Sequence, residues 1–275
     1  MKRISILLAF ILMLALIPMS SLADTGDVAQ LSNGTTYSSL SAAVEAASAT
    51  DTITLLADTN SEKITVDKNI TLNLNQHKLT IPETNNYGIV IKDQLTINGD
   101  GEVYVNANYG IGLSTSCTGG LTINGGTFTA SSNNLYLIGA YAGKVVINGG
   151  SFSSPYCVVN SFDGYTASAE INRGTFSISN GYTGTYEPST LLGINFAVSG
   201  GSFSDPVPAE YCADGFSPVS LGNGRYGVAR PAASVPASSS SAPKTGDESQ
   251  IMLWACMLAL SGAAMIIINR KRRSA

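Results

Sequence analysis

Histidine is nearly absent from this chain: among 275 residues His77 is the only one. A nucleophilic triad would need a Ser or Cys and an acid matched to it, and a zinc centre two or three further ligands; neither set accompanies His77. Cysteine is scarce too. Cys256 falls in an apolar run near the C-terminus, which leaves Cys117, Cys157 and Cys212. Three is an odd number, which argues for small buried residues and against a disulfide framework. Charge makes up only 12% of the residues, and it is lopsided. Between Asp24 and Thr245 nine Lys and Arg face seventeen Asp and Glu. An acidic surplus excludes nucleic acid and anionic lipid as partners, because both need a basic face. No Gly-rich phosphate loop opens a long helix. The sequence thus points to no catalytic residue, no metal ligand set and no cofactor.

The two ends carry what charge and long apolar runs there are. Lys2 and Arg3 precede an apolar stretch over 6–17, and Ser21-Leu22-Ala23 supplies small residues for cleavage. Residues 1–23 are therefore expected to be an export signal, cut between Ala23 and Asp24. Its dozen apolar residues, at ~1.5 Å each, are too few to cross a ~30 Å hydrocarbon layer. The uncharged run 251–268 reaches about 27 Å as a helix and is expected to span a membrane. Arg270, Lys271, Arg272 and Arg273 follow it in the tail 269–275. The positive-inside bias keeps such a tail cytoplasmic and places everything before residue 251 outside. Residues 229–250, rich in Pro, Ala and Ser, read as a spacer reaching about 60 Å.

Between these ends the sequence repeats itself. Leu121-Thr-Ile-Asn-Gly-Gly-Thr-Phe128, Val145-Val-Ile-Asn-Gly-Gly-Ser-Phe152, Ala169-Glu-Ile-Asn-Arg-Gly-Thr-Phe176 and Phe196-Ala-Val-Ser-Gly-Gly-Ser-Phe203 are copies of one unit. With the aliphatic residue before the turn as marker, Leu74, Ile97, Ile123, Ile147, Ile171 and Val198 stand 23, 26, 24, 24 and 27 residues apart, and Ile53 opens the array. The period rules out heptads, and the units lack the helical residues of tetratricopeptide or ankyrin repeats. Within a unit the pattern alternates, with Leu121 and Ile123 inward around Thr122, and Phe128 inward between Thr127 and Thr129. A coil of strand, turn, strand, loop and third strand, stacked on its neighbours at ~4.8 Å, is an all-β parallel β-helix about 35 Å long.

The corners explain their own composition. Paired glycines such as Gly125-Gly126 and Gly149-Gly150 supply positive φ. Asn75, Asn98, Asn124, Asn148 and Asn172 recur there, either as an amide ladder between coils, the preferred reading, or as a polar binding stripe. Phe128, Phe152, Phe176 and Phe203 read as an interior stack. The open ends of such a fold need covers. In 24–50 a strand precedes a helix started by Ser38 or Ser39, with Leu40, Ala43, Val44 and Ala47 on one stripe. The coils are assigned to 51–210, and 211–228 is expected to close the rod with a hairpin.

Two surface features bear on function. Tyr136, Tyr141, Tyr156, Tyr182 and Tyr186, with Tyr165, fall in the loop and third-strand part of successive coils. They are either an outward ligand face suited to sugar rings or a protein, or loop aromatics half-buried on the coil below. Asp163 and Glu187 share an offset of 16 residues from their markers. Two carboxylates stacked ~5 Å apart would form a glycosidase dyad, but with no base and no deep loops beside them they read as solvated charges. The other acids and bases of the middle coils, including Lys144 and Arg173, sit at unrelated offsets.

Ala242-Pro243-Lys244-Thr245-Gly246, followed by an apolar run and a basic tail, resembles the LPXTG sorting signal of Gram-positive surface proteins, with Ala242 in place of the usual Leu. The resemblance implies that a sortase cuts after Thr245 and joins it to peptidoglycan; failing that, the membrane alone would hold the chain. The repeats and their helix-led opening, over roughly residues 28–228, resemble the right-handed, pectate-lyase-like parallel β-helices displayed by the same bacteria. The expected function is a cell-surface, adhesin-like module that binds a glycan or a host or bacterial surface protein without catalysis. The rival expectation is a carbohydrate-active enzyme, a polysaccharide lyase or glycoside hydrolase, since both use this scaffold.

Overall fold

Alternating apolar residues in short strands, separated by glycine corners, wind into three parallel sheets. The computed structural model describes residues 26–82 and 86–231. Ala23, Asp24, the motif Ala242 to Gly246, the apolar run 251–268 and the basic tail lie outside the described residues. Among the described residues no helix is long and apolar enough to cross a membrane. The coils form a parallel β-solenoid whose third sheet counts six strands, one per turn. From Tyr87 onward each turn contributes one strand to each sheet in the same order, as in Gly120–Ile123, Thr127–Ala130 and Tyr136–Ala140.

Each sheet lines the interior with columns of buried side chains. In the first sheet Ile53, Leu72, Ile97, Ile123, Ile147, Ile171 and Val198 lie in register, all buried. The marker after Ile53 is therefore Leu72, not Leu74. Leu72 and Leu74 alternate with the same period of two, so pattern alone cannot separate registers two residues apart. In the second sheet Leu79 and Val103 lead into Phe128, Phe152, Phe176 and Phe203. Consecutive rings lie 5.0, 5.0 and 4.7 Å apart and within 14° of parallel. Each buries ~150–250 Å². The third sheet aligns Ile64, Ile89, Ile111, Ile138, Val159 and Leu191 inside.

The amide ladder is present. Asn124 Nδ2 donates to Asn98 Oδ1 (2.7 Å), Asn148 to Asn124 (2.8 Å) and Asn172 to Asn148 (3.0 Å), and Ser199 Oγ completes the row on Asn172. Asn73, not Asn75, holds the matching register in the coil before. Asn75 has left the strand with φ of 49° and donates to the Leu55 carbonyl. At the corner only the second glycine needs positive φ, 105° at Gly150 and 124° at Gly174. The first position is free of that demand, and Arg173 occupies it.

Both ends of the solenoid carry added elements. An antiparallel pair, Ala29–Leu31 with Thr36–Tyr37, leads into helix α1, Leu40–Ala46. Ser39 Oγ accepts from the Ala42 amide at its start, and Leu40, Ala43 and Val44 are buried. Lys68 Nζ donates to the carbonyls of Glu45 and Ala47, both at 2.7 Å, fastening the helix end to the coil above. At the far end the hairpin Ser217–Gly222 with Arg225–Ala229 pairs antiparallel onto the second sheet through Phe203 and Tyr226. The last strand of the third sheet, Ser189–Gly193, is satisfied by side chains. Asp205 accepts from the Thr190 amide, and Tyr211 Oη donates to the Gly193 carbonyl (2.6 Å).

Candidate functional site

The outer face of the third sheet carries a strip of aromatic rings. Tyr87, Tyr109 and Tyr136 open successive strands in register, with centroids 5.0 and 5.9 Å apart. At the next coil Cys157 takes that register position and is wholly buried. Tyr156, one residue earlier, carries the strip onward, 5.8 Å from Tyr136 and 4.7 Å from Tyr182. A branch runs to the other edge of the sheet, where Phe162 lies 5.2 Å from Tyr136 and stacks on Tyr141 at 4.3 Å, with Tyr165 edge-on.

Glycines make room for this layer. A Cβ at Gly112 would fall 2.6 Å from the Tyr87 ring, and one at Gly139 would fall 2.5 Å from its hydroxyl. Tyr87 therefore lies flat across the two coils above it. Its hydroxyl is buried close to Tyr141 and, among the described residues, makes no hydrogen bond of ordinary geometry. Burial raises its pKa, helped by Tyr141. Tyr136 is pushed up to about 12, first by burial and then by Tyr156. Burial also raises the Tyr156 phenol and the Cys157 thiol. These groups stay protonated at neutral pH, so the phenols offer neutral hydroxyls and ring faces, and Cys157 offers no thiolate.

The five tyrosines expected to form a ligand face are indeed neighbours, but they do not share one role. Tyr156 is only 7% exposed, wedged among Tyr136, Tyr182 and Tyr186, and serves as support. Tyr186 at 70% and Tyr165 at 46% are open to solvent, and Tyr136, Tyr141 and Tyr182 are half-buried. Tyr87 and Tyr109 were not among the expected residues. Their signal is the repeated Tyr87-Gly88-Ile89 and Tyr109-Gly110-Ile111, which the variable loop before each third strand moves out of the main period.

Asp163 and Glu187 are not brought together. Asp163 follows the end of the strand Cys157–Ser161, whereas Glu187 precedes the start of the next, Ser189–Gly193. The two flank opposite edges of the sheet, separated by a five-residue strand of about 16 Å. Asp163 Oδ1 accepts from the Gly164 amide, and both residues are exposed. Lys144 is tied to Glu170 at 2.5 Å, and that hydrogen bond lowers the Glu170 pKa. His77 Nδ1 stands 3.5 Å from Asp58. Among the described residues no group of three or more His, Cys, Asp or Glu could hold a metal ion.

Beside the strip, the loop 179–188 is ten residues long, whereas the same corner one coil earlier, 155–156, has two. The long loop reaches across the short one and leaves a hollow of about 360 Å³ lined by Asn108, Ser132, Asn133, Leu135, Tyr182 and Thr183. In comparisons with known proteins, no family model, no curated protein and no solved structure matches this chain.

Proposed function

We propose that this chain is a surface-displayed, non-catalytic β-solenoid that binds a glycan or a protein partner through the aromatic face of its third sheet. The observation that carries the reading is the aromatic strip itself. Its rings lie outside the core, and Tyr165, Tyr182 and Tyr186 keep surface open to solvent. Such rings gain by covering sugar faces or apolar side chains. The solenoid would wind right-handed, as nearly all parallel strand crossovers do. Helix α1 and the C-terminal hairpin would act as end caps that keep open strand edges from pairing with other chains. Export by residues 1–23, attachment to peptidoglycan through Thr245 by a sortase, or retention by 251–268 with a cytoplasmic tail, complete the proposal.

Two measurements on the full chain test it together. On a glycan array and against pectin, alginate and glycosaminoglycans, the protein is expected to bind without releasing reducing ends or unsaturated sugars. Turnover abolished by Asp163→Asn or Glu187→Gln would instead make it an enzyme. In cells, release by wall-degrading enzymes and a shift of Thr245→Ala to the membrane fraction support sortase attachment. Extraction of the unmutated chain by detergent with its tail intact points to the membrane anchor alone.

A further inference from the structure

We infer that the hollow beside Tyr182 is a binding subsite for an uncharged sugar. The inference rests on the reading of the third sheet as a binding face and gives that face its ligand chemistry.

The hollow is built by loop length. Loop 179–188 passes over the two-residue corner of the coil before it and lands on loop 131–135, two coils away. Glycines allow the landing. Gly181 has φ of 119°, and a Cβ there would sit 3.2 Å from Ser132 Cβ. At Gly184 a Cβ would fall 2.0 Å from Tyr182 Oη and 2.2 Å from Cζ, so the glycine backbone lies directly against that ring. Tyr182 is thus held between the Tyr156 ring, 4.7 Å away, and the Gly184 backbone. A side chain already ordered in the free protein loses little entropy when a ligand arrives.

The lining then selects the ligand. Tyr182 and Leu135 give apolar surface, while Asn133, Ser132 and Thr183 bring amide and hydroxyl groups that both donate and accept. No charged side chain lines the hollow. A pyranose has the matching character, with an apolar ring face edged by hydroxyls. An anionic sugar would find no cation among the residues that line it. The volume is that of a small-molecule site, not of a protein interface.

The test is titration calorimetry of the full chain, held in a detergent without a sugar headgroup. The probes are the N-acetylglucosamine tetramer, cellotetraose and tetragalacturonate. Saturable binding of at least one neutral tetramer is expected, with none of the galacturonate. Tyr182→Ala should weaken it about tenfold, the scale of one aromatic contact. Asn133→Ala, an exposed loop change that leaves the melting temperature in place, should weaken it about threefold to tenfold, the scale of one hydrogen bond. Neutral binding that ignores both variants, or a preference for galacturonate, overturns the subsite and leaves the wider binding face standing. Binding of none of the three also overturns the subsite. Shortening of a tetramer during the titration overturns the non-catalytic reading itself.

Discussion

The molecule contains two aromatic columns, one inside the second sheet and one outside the third. In the inner column four phenylalanines repeat at 4.7–5.0 Å with planes 7–14° apart. In the outer strip, tyrosines stand 4.7–6.3 Å apart, and their planes turn by 16–62°. Both columns inherit the coil spacing, yet only the inner one keeps a single orientation. Inside, each ring must fill the volume left by its neighbours at crystal-like density, so one rotamer serves every coil. Outside, loops of two to ten residues set each ring separately. Regularity here marks structural necessity, and irregularity marks the face where sequence is free to suit a partner.

The largest effect should come from the core. Ile147→Asp places an unpaired carboxylate in the buried column of the first sheet, at a cost of several kcal/mol, and should unfold the domain, whereas Thr122→Asp on the half-exposed side is tolerated. Circular dichroism melts of both variants check this, and equal melting would mean that the inward face is misassigned. Phe152→Ala should cost about 3–5 kcal/mol in chemical denaturation. Tyr186→Ala should stay within about 0.5 kcal/mol. If the two costs match, the division between structural and displayed rings fails.

An alkaline titration probes the strip through Tyr136. Tyr136 ionises near 12 in the folded chain against 10 for an ordinary tyrosine. Between these values the unfolded chain has lost its proton and the folded chain keeps it, so stability is intact below pH 10 and falls as pH rises toward 12. Tyr136→Phe should melt with a shallower dependence over that window. The smallest effect is expected for Tyr87→Phe. It removes a buried hydroxyl with no well-made hydrogen bond, so the melting temperature should hold or rise slightly.

How legible these columns were in the sequence follows from spacing. Phe128, Phe152, Phe176 and Phe203 each stand five residues after their marker because no variable loop intervenes between marker and ring. Tyr87, Tyr109, Tyr136 and Tyr156 lie 22, 27 and 20 residues apart, since each follows a corner of different length. The same corners defeat the pairing of Asp163 with Glu187, whose equal offsets fall at opposite sheet edges. The first coils mislead differently. Ile53 to Leu72 is a shorter turn, and Leu74 mimics the marker because period two repeats within it. The burial of Tyr156 is a property of rings from the coils on either side, Tyr136 and the pair Tyr182 and Tyr186, which no single stretch of sequence contains.

One paired measurement tests the central claim, that the inner column holds the fold and the outer strip serves binding. Melting temperature and glycan-array binding would be read together for Phe152→Leu and Tyr182→Ala in the full chain. A crossed result is expected: Phe152→Leu lowers the melting temperature and leaves binding at saturating protein unchanged, while Tyr182→Ala melts like the unmutated chain and binds more weakly. A Tyr182→Ala chain that loses as much stability as Phe152→Leu, with its array signal intact, would contradict it.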